Sequence, residues 1–514
     1  MFGALTAVTV AGPAAVVSWV LGAVVMAILA LVHAEVGSMY PVAGGSARYP
    51  HFSFGRLAGF TTGWIVWVGA VAVAPIEVVA SLTYLTHYWD WLIDTVEGVP
   101  VLTGLGIVIS VILMAVFTVI NLMGVAQLAK SNNVIMVWKI AIPFLAVAVI
   151  MILAFNTSNF TAQDGFAPFG IQGVLSALSL GGIIFAYQGF EQAIQFGGET
   201  RIPGRNIPIA IIGSIIGGAV LYILLQLAFI GALGPEVLKQ GWANVSFADD
   251  AGPFAGLALL LGAGWLALLL YSDAAVSPAG TGLLYNAASS RLTFALARNH
   301  YIPAIFGRIS DRGVPIVSII LAFILAFIVG CFLFLPFPAW QELASFIISA
   351  TVTGCAMVPV AFGALRRQEP DLPRPFKLPA GEVLAPIAFI VANLVIYWST
   401  WDILKLLLIA IAIGFVFFAL GWATNPEARE LSLDWRASSW LFPYFAGIGV
   451  ISFLGPTDFA GIGVIPFGWD VLVVADFSLV IYFYAISVRL TPEAVRSHVA
   501  DARAEAEEEE DLAV

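Results

Sequence analysis

Four ionisable residues lie in stretches of the chain that are otherwise apolar: Glu77, Lys139, Glu191 and Asp273. An isolated charge in hydrocarbon is costly, so each of them needs a partner, a wet cavity or neutralisation by a proton. Ionisable residues at such positions mark substrate sites and proton relays in membrane proteins. Their alternative role is structural, as buried charges that pair and lock helices together.

Glu191 lies in the most unusual stretch, residues 183–208, which reads IIFAYQGFEQAIQFGGETRIPGRNIP. An apolar helix is interrupted there by Gly189 and Glu191 and ends in a cluster of Gly, Arg and Pro. If the helix opens near Gly189, the freed backbone amides and carbonyls become ligands. The alternative is a close helix contact, which glycines also provide in membranes.

A polar stripe and a lysine form a second candidate cluster. Asp273, Ser277 and Thr281 recur every four residues and therefore share one helical face. Lys139 lies a little more than one turn into an apolar span, where desolvation could bring its protonation into the working range. The alternatives are a helix-packing stripe and a lysine that extends to the membrane surface.

The elements that position these residues are membrane helices. The chain has 514 residues, of which 61% are hydrophobic and 10% charged, with a mean hydropathy of +0.98. These values exclude a soluble protein of several domains. We predict about 13 membrane spans from runs of about 20 apolar residues. They lie at residues 14–36, 58–83, 103–126, 133–154, 173–197, 207–231, 253–277, 314–336, 342–364, 382–400, 403–422, 438–455 and 468–487.

Charge in the loops predicts the orientation. All but Lys139, Lys239 and Lys405 of the 21 Lys and Arg residues fall in alternate loops or in the C-terminal tail. By the positive-inside rule that side is cytoplasmic, and the C-terminus lies there. The acidic run near the end, residues 505–511, predicts a disordered tail.

Other classes of protein have little support in the sequence. The five histidines have no metal-ligand spacing. No nucleophile, base or metal set clusters near one interface, as a membrane enzyme would require. We therefore predict no enzymatic activity, no cofactor, no metal and no nucleic-acid partner; the expected partners are a small molecule, a proton and the lipid bilayer.

Four stretches resemble one family in the same order. They are EVGSMYPVAGGSARY at 35–49, GRLAGFTTGW at 55–64, GFE with ETRIPGRNIP at 189–208, and RLTFALARNHYIP at 291–303. Together they resemble the amino acid, polyamine and organocation transporter superfamily. The segments APIEVVASLTY at 74–84 and SDAAVSPAGTGLLYNAASSR at 272–291 resemble its bacterial aspartate–proton symporters.

The resemblance implies an all-α polytopic fold of two inverted five-helix repeats with broken helices one and six. Residues 1–154 would form the first repeat and 173–364 the second. Residues 382–487 would form about four peripheral helices, and 488–514 an acidic, disordered cytoplasmic tail.

The start of the chain departs from the family pattern. Family members carry a glycine-rich unwound segment in helix one, and this sequence begins just after it, at Met1, Phe2 and Gly3. We therefore expect the N-terminal half of that helix to be missing, together with amides that would bind a substrate carboxylate. A late start codon or a truncation would explain this, as would a decayed or divergent gene.

The resemblance also implies residue roles. The expected substrate-binding residues are Phe2, Gly3, Phe185, Ala186, Tyr187, Gly189 and Glu191, with Phe185 as an aromatic gate. The expected proton-coupling residues are Lys139, Asp273, Ser277, Thr281 and Glu77. Lys139 would occupy the place where sodium-coupled relatives hold a sodium ion, with Ser277 or Thr281 nearby.

The predicted function is a cell-membrane amino acid transporter, with proton symport of aspartate or glutamate preferred. An excess of core carboxylates over Lys139 weighs against an acidic substrate and favours an amine. An amino acid exchanger or an amine or polyamine carrier is therefore an alternative within transport. A non-transporting sensor or scaffold is the alternative from another class.

Overall fold

The computed structural model describes residues 2–513, except for residues 43, 97–98, 180–181, 248–251, 311–313, 334–339 and 425–431. Its apolar runs are helical because the hydrocarbon offers no partner for backbone N–H and C=O groups, so each segment must satisfy its own. Within the described chain, ten apolar segments are long enough to cross a bilayer. The prediction of an all-α polytopic membrane protein is confirmed.

The first part of the chain forms six helices and one hairpin. The helices are α1 (Phe2–Ala11), α2 (Ala15–Met39), α3 (Gly45–Phe54), α4 (Arg56–Leu85), α5 (Gly104–Leu122) and α6 (Val125–Ala154). A short 3-10 turn joins α1 to α2. Strands β1 (Ile93–Val96) and β2 (Val99–Leu102) pair antiparallel between α4 and α5.

Short helices then alternate with long ones. They are α7 (Gly170–Ser179), α8 (Ile183–Ala186), α9 (Gln192–Gln195), α10 (Pro203–Ala232), α11 (Pro235–Leu238), α12 (Pro253–Leu260), α13 (Gly264–Arg298), α14 (Ile316–Leu333) and α15 (Trp340–Gln368). The remaining helices are α16 (Gly381–Trp398), α17 (Trp401–Thr424), α18 (Trp435–Ser438), α19 (Leu441–Leu454), α20 (Trp469–Val488) and α21 (Pro492–Ala513).

Helices α4, α13 and α15 form the centre of the bundle. Helix α13 packs along α4, and α15 packs on α3, α4 and α16. The apolar windows of α4 and α15 are mostly buried inside the protein, whereas those of α6 and α10 mostly face outward. Helix α13 has 35 residues and is therefore about 52 Å long. That length exceeds the roughly 30 Å hydrocarbon thickness, so α13 extends beyond the membrane.

The ends of α2, α13 and α15 and the start of α4 lie at one end of the bundle. We name this end the Arg-rich face. His51 of α3 contacts the Tyr301 hydroxyl just beyond α13. Arg366 near the end of α15 binds Glu35 near the end of α2. The last helix, α21, joins this face through Arg496 and Glu369.

Two of the predicted spans were wrong at their boundaries. The span at 253–277 is not one helix, because α12 ends at Leu260 and α13 begins at Gly264 and runs to Arg298. Gly262, at φ +74°, makes the turn between them. Hydropathy misses this turn because the residues around it are apolar. The span at 133–154 begins earlier than predicted, at Val125, because the polar first turns of α6 are not counted by an apolar window.

Where the sequence predicts a disordered tail, Pro492–Ala513 form helix α21. Val495 and Ala502 are buried on the rest of the protein, and Arg496 forms an ion pair with Glu369 at 2.9 Å. The apolar positions that anchor this helix precede the acidic run. A prediction based on that run alone therefore missed them.

Candidate substrate and coupling site

The span predicted at 173–197 is broken into α7, α8 and α9. Gly182 and Gly189 both have positive φ, +70° and +111°, a backbone conformation that L side chains rarely adopt. A Cβ at Gly189 would meet nothing within 4 Å, so the backbone conformation and not a lack of space requires glycine there. The break therefore includes the predicted point at Gly189 but begins earlier in the chain.

Glu191 lies directly after this break and is 2% exposed. Its carboxylate accepts hydrogen bonds from the Gly189 backbone N–H at 2.9 Å and the Tyr285 hydroxyl at 3.1 Å. A weaker bond comes from the Gln192 side-chain amide at 3.3 Å. All of these donors are neutral. The carboxylate therefore binds backbone that the break exposes, and no cation of the described residues forms an ion pair with it.

The backbone carbonyls of the broken segment differ in their bonding. The Ala186 carbonyl accepts from the Tyr222 hydroxyl at 2.9 Å, and the Phe185 carbonyl from the Gln188 N–H at 3.0 Å. Among the described residues, no donor reaches the carbonyls of Tyr187 and Gln188. A ligand that bound to those two oxygens would displace no hydrogen bond of the described residues.

The side chains of the segment point in different directions. Tyr187 donates to the Trp19 carbonyl at 3.1 Å, and its ring packs against those of Trp19 and Tyr222. It therefore anchors the segment on α2 and α10. Phe185 is 39% exposed, and its role as an aromatic gate stays a prediction.

The start of the chain lies beside the same segment. Helix α1 packs on α7 and also contacts α8. Gly3 is partly buried. The side chain of Phe2 lies outside the described residues. The structure thus brings α1 to the broken segment, where the resemblance placed it, and the substrate contacts of Phe2 and Gly3 stay predictions.

Lys139 lies near the middle of α6 and not near its end. Its ammonium donates to the Thr281 hydroxyl at 2.7 Å and to the Ser277 carbonyl at 3.3 Å. Both partners lie near the middle of α13. A lysine that extends to the membrane surface would direct its ammonium away from such partners. The geometry therefore favours a coupling role over that alternative.

Two carboxylates surround this lysine. Glu77 on α4 and Asp273 on α13 both interact electrostatically with the Lys139 ammonium. Asp273 is 3% exposed, and one of its carboxylate oxygens, Oδ1, has no hydrogen-bond partner among the described residues. Neither carboxylate approaches a cation of the described chain within 4.0 Å. One or more protons can therefore change the charge of this group without breaking an ion pair.

Tyr285 joins the two clusters, and the sequence analysis missed it. It follows Thr281 by four residues, so it continues the stripe of Asp273, Ser277 and Thr281 on the same face of α13. Thr281 binds Lys139, and Tyr285, about 6 Å further along the helix, binds Glu191. The four-residue spacing was the signal that could have identified it.

In chemical terms, the arrangement can bind a small polar molecule and transfer protons. The unbonded carbonyls offer acceptors for an ammonium group. The Lys139 group offers titratable charges that α13 connects to the broken segment. Within the described residues, no three His, Cys, Asp or Glu side chains come together as metal ligands.

Comparison with known proteins identifies the family of the chain. The model of the family described as "Amino acid permease" matches residues 1–418.

The curated relatives are similar over nearly the whole chain. The glutamate/serine transporter AimA of Bacillus subtilis is 39% identical over 490 residues, covering 95% of this chain and 89% of the relative. The aspartate-proton symporter of Bacillus subtilis is 34% identical over 487 residues, covering 94% and 92%. A more distant relative, the branched-chain amino acid permease BcaP of Bacillus subtilis, is 25% identical over 442 residues, covering 81% and 87%.

Proposed function

The chain belongs to the amino acid permease family, and on this premise we propose that it carries aspartate or glutamate across the cell membrane together with protons. The predictions of a multi-pass membrane protein and of an amino acid transporter rather than an enzyme are confirmed by the family and its relatives. The observation that carries the proton-coupling proposal is the bond from the Lys139 ammonium to Thr281 in the middle of the bundle.

The substrate's ammonium group would bind at the broken segment. The carbonyls of Tyr187 and Gln188 would accept its N–H groups, with Glu191 nearby as a compensating negative charge. Unwound backbone that lines a cavity is the usual source of such ligands in membrane transporters. Phe185 would close over the bound molecule.

The preference for an acidic substrate rests on two relatives. One is named a glutamate/serine transporter and the other an aspartate-proton symporter. The charge of the core opposes this preference, because Glu77, Glu191 and Asp273 would repel a second carboxylate. Protonation of Glu77 or Asp273 would reduce that repulsion and convert an acceptor into an O–H donor. Acidic substrate and proton would thus enter together.

Lys139 would couple the proton to the conformational change. As an ammonium ion it donates to Thr281 and Ser277 and holds α6 against α13. As a neutral amine it would lose charge-assisted donation, and the contact would weaken. In this proposal the two charge states favour different conformations, and the site opens alternately to the two sides of the membrane.

The proposed orientation of the protein in the membrane rests on the distribution of its Lys and Arg residues. The Arg-rich face would be cytoplasmic, and α21 with the C-terminus would lie on that side. A protease added to sealed right-side-out membrane vesicles should leave a C-terminal epitope tag intact. Cleavage of the tag in those vesicles would reverse the proposed orientation.

Uptake into proteoliposomes tests the function. We expect accumulation of radiolabelled aspartate or glutamate when the outside is made acidic and collapse of that accumulation when a protonophore is added. Serine and branched-chain amino acids serve as competitors. Competition by neutral amino acids as strong as by aspartate would remove the acidic preference, and uptake indifferent to the pH gradient would remove proton coupling.

A cationic amine is the second candidate substrate. The observation that favours it is the set of three core carboxylates without an ion pair among the described residues. Putrescine and spermidine in the same competition assay separate the two candidates. Stronger inhibition by these amines than by glutamate would favour the amine carrier.

A further inference from the structure

A partly buried ion pair connects the broken segment to α13 at the Arg-rich face. The Arg291 Nε donates to one carboxylate oxygen of Glu199 at 3.0 Å, and its Nη2 donates to the other at 3.3 Å. Glu199 follows α9 closely in the chain, and Arg291 lies in the second half of α13. The pair therefore joins the segment that carries Glu191 to the helix that carries Thr281 and Tyr285.

The Arg291 guanidinium is held on other sides as well. Its Nη1 donates to the Ala287 carbonyl at 3.0 Å and to the Ser290 hydroxyl at 3.3 Å. The Phe196 ring lies 4.7 Å from the guanidinium carbon. The Arg291 side chain is 4% exposed and that of Glu199 is 24% exposed. Water therefore screens this contact little, and a loss of Glu199 would leave a buried cation without its counter-charge.

The same segment closes against the loop after α2. The Gly44 N–H donates to the Gln195 carbonyl at 3.1 Å. A Cβ at Gly197 would come within 3.2 Å of the Val42 carbonyl oxygen, so the two backbones are in close contact. Residues 195–199, the loop after α2 and α13 therefore meet between Glu191 and the Arg-rich face. In this conformation these contacts hold the three elements together on that side of Glu191.

The buried side chain of Gln195 destabilises this closed contact. Its side chain is 0% exposed, and among the described residues neither its amide nitrogen nor its amide oxygen has a hydrogen-bond partner. A buried amide without partners destabilises the state in which it is buried. Water admitted by opening would satisfy both atoms. The ion pair thus favours closure, whereas Gln195 favours opening.

We propose that Glu199 and Arg291 form a latch that closes the pathway at the Arg-rich face and must separate each time the transporter opens there. Both are positioning residues that act through the conformational equilibrium and do not contact the substrate. The inference rests on the proposed transport by alternating opening, and it adds the residues that set the balance between the two conformations.

Thiol labelling at Gln195 tests the latch directly. The reporter is Gln195→Cys in the full-length protein with Cys331→Ser and Cys355→Ser, and the measurement is its rate of alkylation by N-ethylmaleimide in membranes. We expect Glu199→Gln to raise this rate by at least about tenfold, since hydrogen bonds to a charged group are worth that much or more. Glu199→Asp, which keeps the charge on a shorter side chain, should give an intermediate rate. Equal rates with and without Glu199→Gln would overturn the proposal.

Two controls separate opening from other effects. Glu236→Gln breaks an exposed ion pair with Lys239, whose atoms lie 2.6 Å apart, and should leave labelling of Gln195→Cys unchanged. Val474→Cys places a second reporter at a fully buried position of α20. Equal acceleration of labelling at Val474→Cys and at Gln195→Cys would indicate general unfolding and would also overturn the latch.

Transport kinetics give an independent readout. If Glu199→Gln populates the state open at the Arg-rich face, fewer molecules present the site to the opposite side, and the apparent KM for substrate added there should rise. A purely structural defect would instead lower the maximal rate at unchanged KM. The labelling assay needs neither substrate nor a pH gradient. Failure of aspartate uptake would therefore count against the proposed function and leave the labelling test of the latch intact.

Discussion

Two groups of carboxylates in this protein have opposite surroundings. In the middle of the bundle, Glu191 accepts only from neutral donors, and Glu77 and Asp273 have no ion pair within 4.0 Å among the described residues. At the Arg-rich face, Glu35 binds Arg366 at 2.6 Å and Arg374 at 3.2 Å and also accepts from the Leu378 N–H.

This difference indicates that the two groups of carboxylates have different roles. A carboxylate bound by guanidinium groups has its lone pairs occupied by strong hydrogen bonds, so it is poorly suited to receive a substrate. Its role is to join helices. A carboxylate held by neutral donors can exchange partners without breaking an ion pair. The central group is therefore the one we assign to transport and the outer group the one we assign to closure and stability.

The largest expected effect is on stability, from Glu35→Ala. It would leave two buried guanidinium groups without their counter-charge, a change that costs about 3–5 kcal/mol in comparable buried pairs. Thermal unfolding in detergent measures the loss. The matched control is Glu369→Ala, whose partner Arg496 has a side chain that is 67% exposed and which should cost less than about 1 kcal/mol. Similar losses in both variants would contradict the distinction between buried and exposed pairs.

The next effect is on substrate affinity, from Tyr285→Phe. It removes the hydroxyl that orients Glu191 and keeps the ring, and it should weaken apparent substrate affinity about tenfold. Tyr397→Phe is the control, because it removes a similar bond to the carboxylate of Asp470 at 3.0 Å among the peripheral helices. Uptake at several substrate concentrations distinguishes the two variants. Equal losses of affinity would remove Glu191 from the site.

The smallest effect concerns pH at the Arg-rich face. Burial lowers the pKa of His51, and the neighbouring His498, Arg48 and Arg56 lower it further. Burial also lowers the pKa of His498, against the opposing effect of Asp434 and Asp501. The rings of the two histidines lie 4.6 Å apart, between α3 and α21, and His51 also contacts the Tyr301 hydroxyl.

Because both histidines bind protons less readily with α21 docked, the docked helix is stabilised above their ordinary pKa of about 6.5 and loses that stabilisation as the pH falls. Hydrogen exchange of residues 495–502, corrected for intrinsic rates, should be faster at about pH 5.5 than at about pH 7.5, because protonation of these histidines opposes docking of α21. His498→Gln should reduce this difference. Exchange that is independent of pH in the unaltered protein would contradict the prediction.

Local patterns in the sequence predicted part of this site. Gly189 and Glu191 identified the break because a glycine and a carboxylate are costly inside an apolar helix. The four-residue spacing of Asp273, Ser277 and Thr281 identified the face of α13 that meets Lys139. The same spacing extends to Tyr285, which was missed because a tyrosine in a membrane helix does not stand out.

The ion pairs could not be predicted in this way. Arg291 and Glu199 are 92 residues apart in the chain, and Arg366 and Glu35 are 331 residues apart. No local pattern specifies which arginine of a positively charged loop meets which carboxylate, because tertiary packing makes that choice. The turn at Gly262 was missed for a related reason, since hydropathy reports burial and not backbone direction.

Lys139→Ala tests the central claim most directly. Uptake of radiolabelled aspartate or glutamate driven by an imposed pH gradient should be abolished in this variant, because the titratable cation that holds α6 against α13 is lost. Lys405→Ala is the matched control, since Lys405 is exposed and pairs with the nearby Asp402, and its uptake should equal that of the unaltered protein. Full gradient-driven uptake by Lys139→Ala would contradict the assignment of the central group to proton coupling.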